Sequence, residues 1–158
     1  ATYSNYHLTV QFKWGEASFS PRADNARDSG VLLHADGEDM LWPRSIEAQI
    51  IEGGTGDIIL IGGTQLSVNG ETKSSGRFDR FGKGPWQDVL GFVNTDEVEK
   101  PHGQWNQLEC ICSQDRITLK VNGITVNDGS AASVTGGKIL FQSEGAELFI
   151  RKIQIESL

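Results

Sequence analysis

Tyr6-His7-Leu8-Thr9-Val10-Gln11-Phe12-Lys13-Trp14 alternates apolar and polar residues without a break. A period of two is the pattern of a strand with one buried face, because successive side chains leave a pleated backbone on opposite sides. The same reading extends to residues 30–34, 45–51, 58–61, 105–112, 117–121, 124–126, 138–142 and 147–155, so the sequence predicts about ten strands and no helix. Asn122-Gly123 joins Ile117-x-Leu119-x-Val121 to Ile124-x-Val126 and predicts a two-residue hairpin, since a type I′ turn needs positive φ at both central positions. Asn69-Gly70 after Leu66-Ser67-Val68 is a second hairpin candidate. Residues 74–84, polar and glycine-rich, read as one long loop. Short antiparallel strands that each bury one face pack most simply as two sheets face to face. The expected fold is an all-β, jelly-roll-like β-sandwich of two antiparallel sheets.

Bulk properties agree with one such domain over residues 1–158. The chain has nineteen glycines, only four prolines and 37% hydrophobic residues, which suits many tight turns round a single core. Its longest apolar run, residues 58–61, is far short of a membrane helix. A formal charge of −7 opposes the basic footprint that phosphate neutralisation needs, which argues against nucleic acid as a partner and leaves neutral or weakly polar ligands. Residues Ala1 to Asn5 lack the marks of a signal peptide. Cys110 and Cys112, two apart on one strand, share a face but are poorly aimed at each other, so they read as buried thiols. A zinc site would need further ligands from His7, His34 or His102, and no zinc-like spacing exists. Asp36, Asp39 and Asp57 lack the spacing of a calcium loop and read as turn residues.

One strand has the residues for chemistry. Along Trp42-Pro43-Arg44-Ser45-Ile46-Glu47-Ala48-Gln49-Ile50-Ile51-Glu52, parity sends Ile46, Ala48 and Ile50 to the core and Ser45, Glu47 and Gln49 outward together. Such a row suits a sugar, whose hydroxyls pair with carboxylates and amides and whose apolar faces stack on tryptophan; it equally suits ordinary solvated strand positions. Glu47 is the natural proton-transfer group. His34, ending a neighbouring strand, could shuttle protons beside it. His102 lies in a loop, and Trp42 and Trp86 serve either as stacking platforms or as loop anchors, whereas Trp14 and Trp105 fit the core. The row Glu47-x-Gln49-x-x-Glu52 resembles the Glu-x-Asp-x-x-Glu strand of laminarinase-like sandwiches with its central acid replaced, and Glu52 reaches the same face only through a bulge. No phosphate loop, nucleophile elbow or His-Glu-x-x-His helix is present.

Two longer stretches point to a family: Arg27-Asp28-Ser29-Gly30-Val31-Leu32-Leu33-His34, and the run from Trp42 through Glu52 to Gly53-Gly54-Thr55-Gly56-Asp57. With Glu99-Lys100-Pro101-x-Gly103-x-Trp105-Asn106, the Asn122-Gly123 hairpin and Leu148-Phe149-Ile150-Arg151-x-Ile153-x-Ile155, the chain resembles the 3-keto-disaccharide hydrolase domain family over nearly its whole length. The resemblance implies a concanavalin A-like sandwich, commonly exported, that cleaves glycosides whose sugar carries a ketone at carbon 3. It also implies an oxidoreductase partner that makes the keto sugar. Members usually carry a further N-terminal stretch, so the chain is expected to lack part of the family's full domain. The catalytic residues then expected are Glu47 as base or acid, His34 as a second proton-transfer group, and Gln49 as a donor. Arg44, Trp42, Ser45, Glu52, Trp86 and His102 would bind substrate. A divalent metal near His34 or Glu47 is left open. The competing readings are a noncatalytic carbohydrate-binding module, a laminarinase-like glucanase and an adhesion sandwich.

Overall fold

The computed structural model describes residues 1–158 as twelve strands and no α-helix. They are β1 (Tyr6–Ser18), β2 (Asp28–Asp36), β3 (Arg44–Ile51), β4 (Ile58–Ile61), β5 (Leu66–Val68), β6 (Glu71–Lys73), β7 (Gly76–Phe78), β8 (Asn106–Ser113), β9 (Arg116–Val121), β10 (Ile124–Ser130), β11 (Lys138–Phe141) and β12 (Ala146–Ser157). One sheet runs β12-β1-β8-β9-β10-β5-β6 and the other β11-β2-β3-β4-β7; all pairs are antiparallel. The result is the expected jelly-roll sandwich.

Alternation decides which side chains fill it. Tyr6, Leu8, Val10, Phe12 and Trp14 of β1 are all buried in the core, beside Leu108, Cys110 and Cys112 of β8, and they meet Val31, Leu33, Ile46, Ala48 and Ile50 of the second sheet. Fully burying a side chain of this size contributes about 1.5–3 kcal/mol, so this layer is what closes the sandwich. Both thiols are free and buried, and burial pushes Cys112 up to about 12. The two predicted hairpins form, with positive φ at Asn122 and Gly123 and at Asn69 and Gly70. Asn122 also braces the turn through its side chain, donating to the Val98 carbonyl and to Asn106 Oδ1, both at 2.8 Å.

Three expectations need correction. Residues 74–84 are not wholly a loop: Gly76–Phe78 forms β7, the edge of the five-stranded sheet, with Arg77 opposite Ile59. Three-residue strands leave too short an alternation to be read from sequence. Trp105 is only half-buried, because it lies outside the sandwich between the cations of Lys13 and Arg151, 5.2 and 4.4 Å from its ring. Asp57 is no simple turn residue. It is fully buried, and its carboxylate accepts from Lys83 Nζ at 2.5 Å, Arg77 Nη1 at 3.0 Å and the Arg80 amide at 2.8 Å.

Candidate functional site

The outer face of the five-stranded sheet holds the predicted polar row. In register, Leu140, Leu32, Glu47, Ile59 and Arg77 form one line across β11, β2, β3, β4 and β7, and Gly30 and Gln49 stand opposite each other in the next line. These positions point away from the core, yet Glu47 is only 2% exposed and Gln49 only 3%. They are therefore not solvated strand positions. A cleft of about 450 Å³ opens over them, walled by Asp28, Trp42, Arg77 and Glu144.

Hydrogen bonding inside this cleft is incomplete. Gln49 Nε2 donates to Asp28 Oδ1 at 2.5 Å, but Gln49 Oε1 and Glu47 Oε1 are buried without a partner, as is Gln142 Oε1 of the adjoining cavity, which lies over Gly30 beside Glu47. Leaving a buried polar group unpaired costs about 1–3 kcal/mol, so an unsatisfied cluster of this kind calls for a ligand with hydroxyl donors or for a shared proton. Glycine at position 30 makes the cluster. A Cβ there would overlap Glu47 Oε1 and stand 2.5 Å from Gln142 Oε1, so the two acceptors can meet only above a residue with no side chain. Gly30→Ala is expected to weaken sugar binding about tenfold, because it displaces both oxygens, while the backbone has an ordinary strand conformation and the melting temperature shifts little. Calorimetric titration beside a thermal melt checks this; unchanged affinity would mean the acceptors do not touch the ligand.

The carboxyl groups repel one another in a dry place. Burial, then the neighbouring Glu144 and Asp28, push Glu47 up to about 8 against the pull of Arg77. Burial and Glu144 likewise raise Asp28 to about 7, opposed by Arg22 and Arg77. Glu144 is itself raised by burial. Close carboxyl groups cannot all ionise at once, so Glu47 and Asp28 hold protons near neutral pH and can give or take them there. Arg77 supplies positive charge, held by its ion pair with Asp57 and packed 5.7 Å from the Trp86 ring.

The other predicted residues divide clearly. Trp42 walls the cleft as expected. Ser45 shares the face of Glu47, but its hydroxyl turns back to the Pro43 carbonyl at 2.8 Å. Trp86 touches the site only through Arg77, and its ring N–H donates to the Glu52 carbonyl at 2.8 Å. Arg44 pairs with Asp36 at 2.6 Å at the strand end and does not line the cleft. His34 is not beside Glu47. A register shift between Leu33 and Asp36, with φ of 54° at His34, turns the imidazole into the sandwich; there Nδ1 lies 3.1 Å from the Val134 carbonyl and the ring meets Tyr6 edge-on. Burial keeps this imidazole below its usual pKa, hence neutral.

Glu52 also leaves the row. With no bulge between Gln49 and Glu52 to redirect it, it binds Arg27 Nη1 at 2.7 Å and accepts from the Arg27 and Gly91 amides, as a buried clamp between loops. His102 sits near Glu16 at 3.2 Å, in a separate cavity at the sandwich end that also contains Glu52. Asp28, Glu47 and Glu144 share a cleft, yet neither they nor any other three His, Cys, Asp or Glu side chains are grouped as a metal shell requires, and His34 is turned away, so the residues present do not fit the metal left open above. Sequence reasoning missed Asp28, Arg77, Gln142 and Glu144. Asp28 was accessible, since the parity Asp28-x-Gly30-x-Leu32 runs on the outer face; Arg77 and Glu144 arrive from a short strand and a turn, with no periodic signal.

Comparison with known proteins agrees with the geometry. A family model described as a 3-keto-alpha-glucoside-1,2-lyase-like domain matches residues 1–156. No curated protein matches. Among solved structures, a candidate glycosyl hydrolase from Parabacteroides distasonis is 22% identical with a TM-score of 0.59, covering 100% of this chain and 80% of that one. The carbohydrate-binding module CBM66 from Bacillus subtilis is 11% identical with a TM-score of 0.59, over 99% and 78% of the two chains. Sheep galectin-11, in complex with glycerol, is 10% identical with a TM-score of 0.52, over 99% and 95%. These identities establish the shared jelly-roll fold alone. The family model does more, and in agreement with the resemblance carried by the Ser45-Ile46-Glu47 strand it shows that the chain belongs to the 3-keto-alpha-glucoside-1,2-lyase-like domain family.

Proposed function

We propose that the cleft binds a neutral glycoside whose ring carries a ketone at carbon 3, and that Glu47 starts its cleavage by taking the proton from carbon 2. The observation that carries this is a buried carboxyl group with one oxygen unpartnered, beside two more carboxyl groups and an arginine in a sugar-sized cleft. A ketone at carbon 3 makes the carbon 2 hydrogen acidic. Its removal leaves an enolate, whose negative oxygen Arg77 is placed to stabilise. The enolate then collapses, a double bond forms between carbons 1 and 2, and the bond from carbon 1 to the leaving oxygen breaks. Asp28, protonated near neutral pH, gives that oxygen its proton. Water adds to carbon 1, carbon 2 regains a proton, and the net reaction is hydrolysis. Gln49 holds Asp28, and Trp42 offers a face to the sugar. His34 and Arg44 take no part. An oxidoreductase must supply the ketone, and an exported location goes with the same reading.

The test is release of the leaving group from a 3-keto aryl glucoside beside its unoxidised parent, with and without a chelator. Only the keto substrate is expected to turn over. Its kcat/KM should rise toward about pH 7 and fall again above about pH 8, because Glu47 must have lost its proton to act as base while Asp28 must keep its own to act as acid. Equal turnover of the parent would overturn the elimination. No turnover, with sugar still raising the melting temperature, would make the cleft that of a binding module.

A further inference from the structure

Beside the acidic cleft lies a second cavity of about 310 Å³, and the two share Trp42 and Glu144 as a common wall. Its character is opposite. Leu32, Met40, Leu41, Leu140, Phe141 and the shared Trp42 are six of its nine lining residues, and only Gln142, Ser143 and Glu144, consecutive in the chain, are polar. The register explains the change. On the outer face of the sheet Leu140 lies opposite Leu32 and Leu32 opposite Glu47, so the floor switches from aliphatic to acidic between two neighbouring strands. Above it the loop between β2 and β3 presents Met40 at 65%, Leu41 at 82% and Trp42 at 43% exposure. Three consecutive exposed apolar residues on a polar, acidic chain cost solubility, and here all three border one cavity.

Resting on the function proposed above, we infer that this lobe receives the leaving group, and that the preferred substrates are 3-keto glycosides of apolar, aryl or aralkyl alcohols rather than of a second sugar. The sugar ring needs the acids and amides, so it occupies the Glu47 side. Its glycosidic oxygen then lies near the shared wall, and whatever it carries extends over Leu32 and Leu140. A second sugar would find hydrogen-bonding partners only at residues 142–144 and would leave most of its hydroxyls dry against aliphatic carbon, whereas a phenyl group buries its surface against leucine, methionine and tryptophan.

The experiment compares the ethyl and 2-phenylethyl 3-keto glucosides, whose alcohols are similar leaving groups but differ by one phenyl ring, with a 3-keto disaccharide alongside. The wild-type chain is expected to show a kcat/KM at least about tenfold higher for the phenylethyl compound than for the ethyl one, the scale set by burying part of an aromatic ring. Leu41→Ser, at an exposed position that does not threaten folding, should cut that ratio severalfold; Leu140→Asn should cut it further. Turnover of all three keto substrates with a ratio near one would overturn the inference and leave the proposed function standing. If no keto substrate turns over, the proposed function fails. The lobe is then judged by calorimetry with the unoxidised ethyl and 2-phenylethyl glucosides. About tenfold tighter binding of the latter upholds it, and equal binding overturns it.

Discussion

Glu47→Gln is expected to lower kcat on a 3-keto glucoside by about a thousandfold, while affinity for the unoxidised sugar stays within about threefold. The amide has the shape of the acid and keeps an oxygen above Gly30, so the cleft is not rebuilt. What it loses is the ability to take a proton. Because the carboxyl group is pushed up to about 8, its neutral form prevails in the resting cleft at neutral pH, and the amide imitates that form. Binding and chemistry are thereby separated. A variant that keeps full turnover would remove Glu47 from the reaction; one that loses affinity as steeply as rate would make it a binding group. The same substitution has a signature in stability. The folded chain keeps the Glu47 proton that the unfolded chain releases above about pH 4.5, so folding loses stability as pH rises from there toward about 8. Thermal melts across that window should fall with pH in the wild type and fall less in Glu47→Gln.

The second large effect is on the fold. Glu52→Ala is expected to lower the melting temperature by about 10 °C or more. Glu52 and Arg27 form an ion pair at 2.7 Å with both side chains largely dry, and the same carboxylate receives the Arg27 and Gly91 amides. Removing one partner of a buried pair leaves the other charge uncompensated, typically at 3–5 kcal/mol, and in a chain of this size each kcal/mol moves the midpoint by about 2–4 °C. At a temperature where the variant is still folded, its KM for the sugar should match that of the wild type. A raised KM with an unchanged melting temperature would instead return Glu52 to the substrate site, where its spacing from Glu47 and Gln49 had suggested it.

Much of the fold was legible because its signals are local. The β1 stretch, the Asn122-Gly123 turn and the parity of Ile46, Ala48 and Ile50 each depend on a few neighbouring residues, and all are as expected. The site was half legible. Glu47, Gln49 and Trp42 could be placed from one strand and its leading loop, but their burial depends on partners from distant segments, and alternation carries no information about what covers an outer face. His34 shows the opposite failure. A single residue with positive φ inside β2, His34 itself, turns its side chain to the other face, and the sequence Leu33-His34-Ala35 has no glycine or asparagine to announce it. Glu52 failed because counting along β3 fixes a face only while the strand lasts, and β3 ends at Ile51.

The ion pair of Arg77 with Asp57 bears on the charge that the cleft presents to a ligand. Asp57 is fully buried and is shared between Arg77 and Lys83, so the one arginine that lines the cleft is partly balanced by an internal partner and still acts on Glu47 and Asp28. Arg22, the other guanidinium near Asp28, is engaged by Asp88 at 3.2 Å. What faces an incoming molecule is the carboxyl groups of Asp28, Glu47 and Glu144, the first two holding protons near neutral pH and turning negative as pH rises, on a chain of net charge −7. Each proton these groups lose makes approach of an anion harder. An uncharged glycoside is therefore expected to bind more tightly than the corresponding sugar phosphate or uronic acid, which calorimetric titration would check.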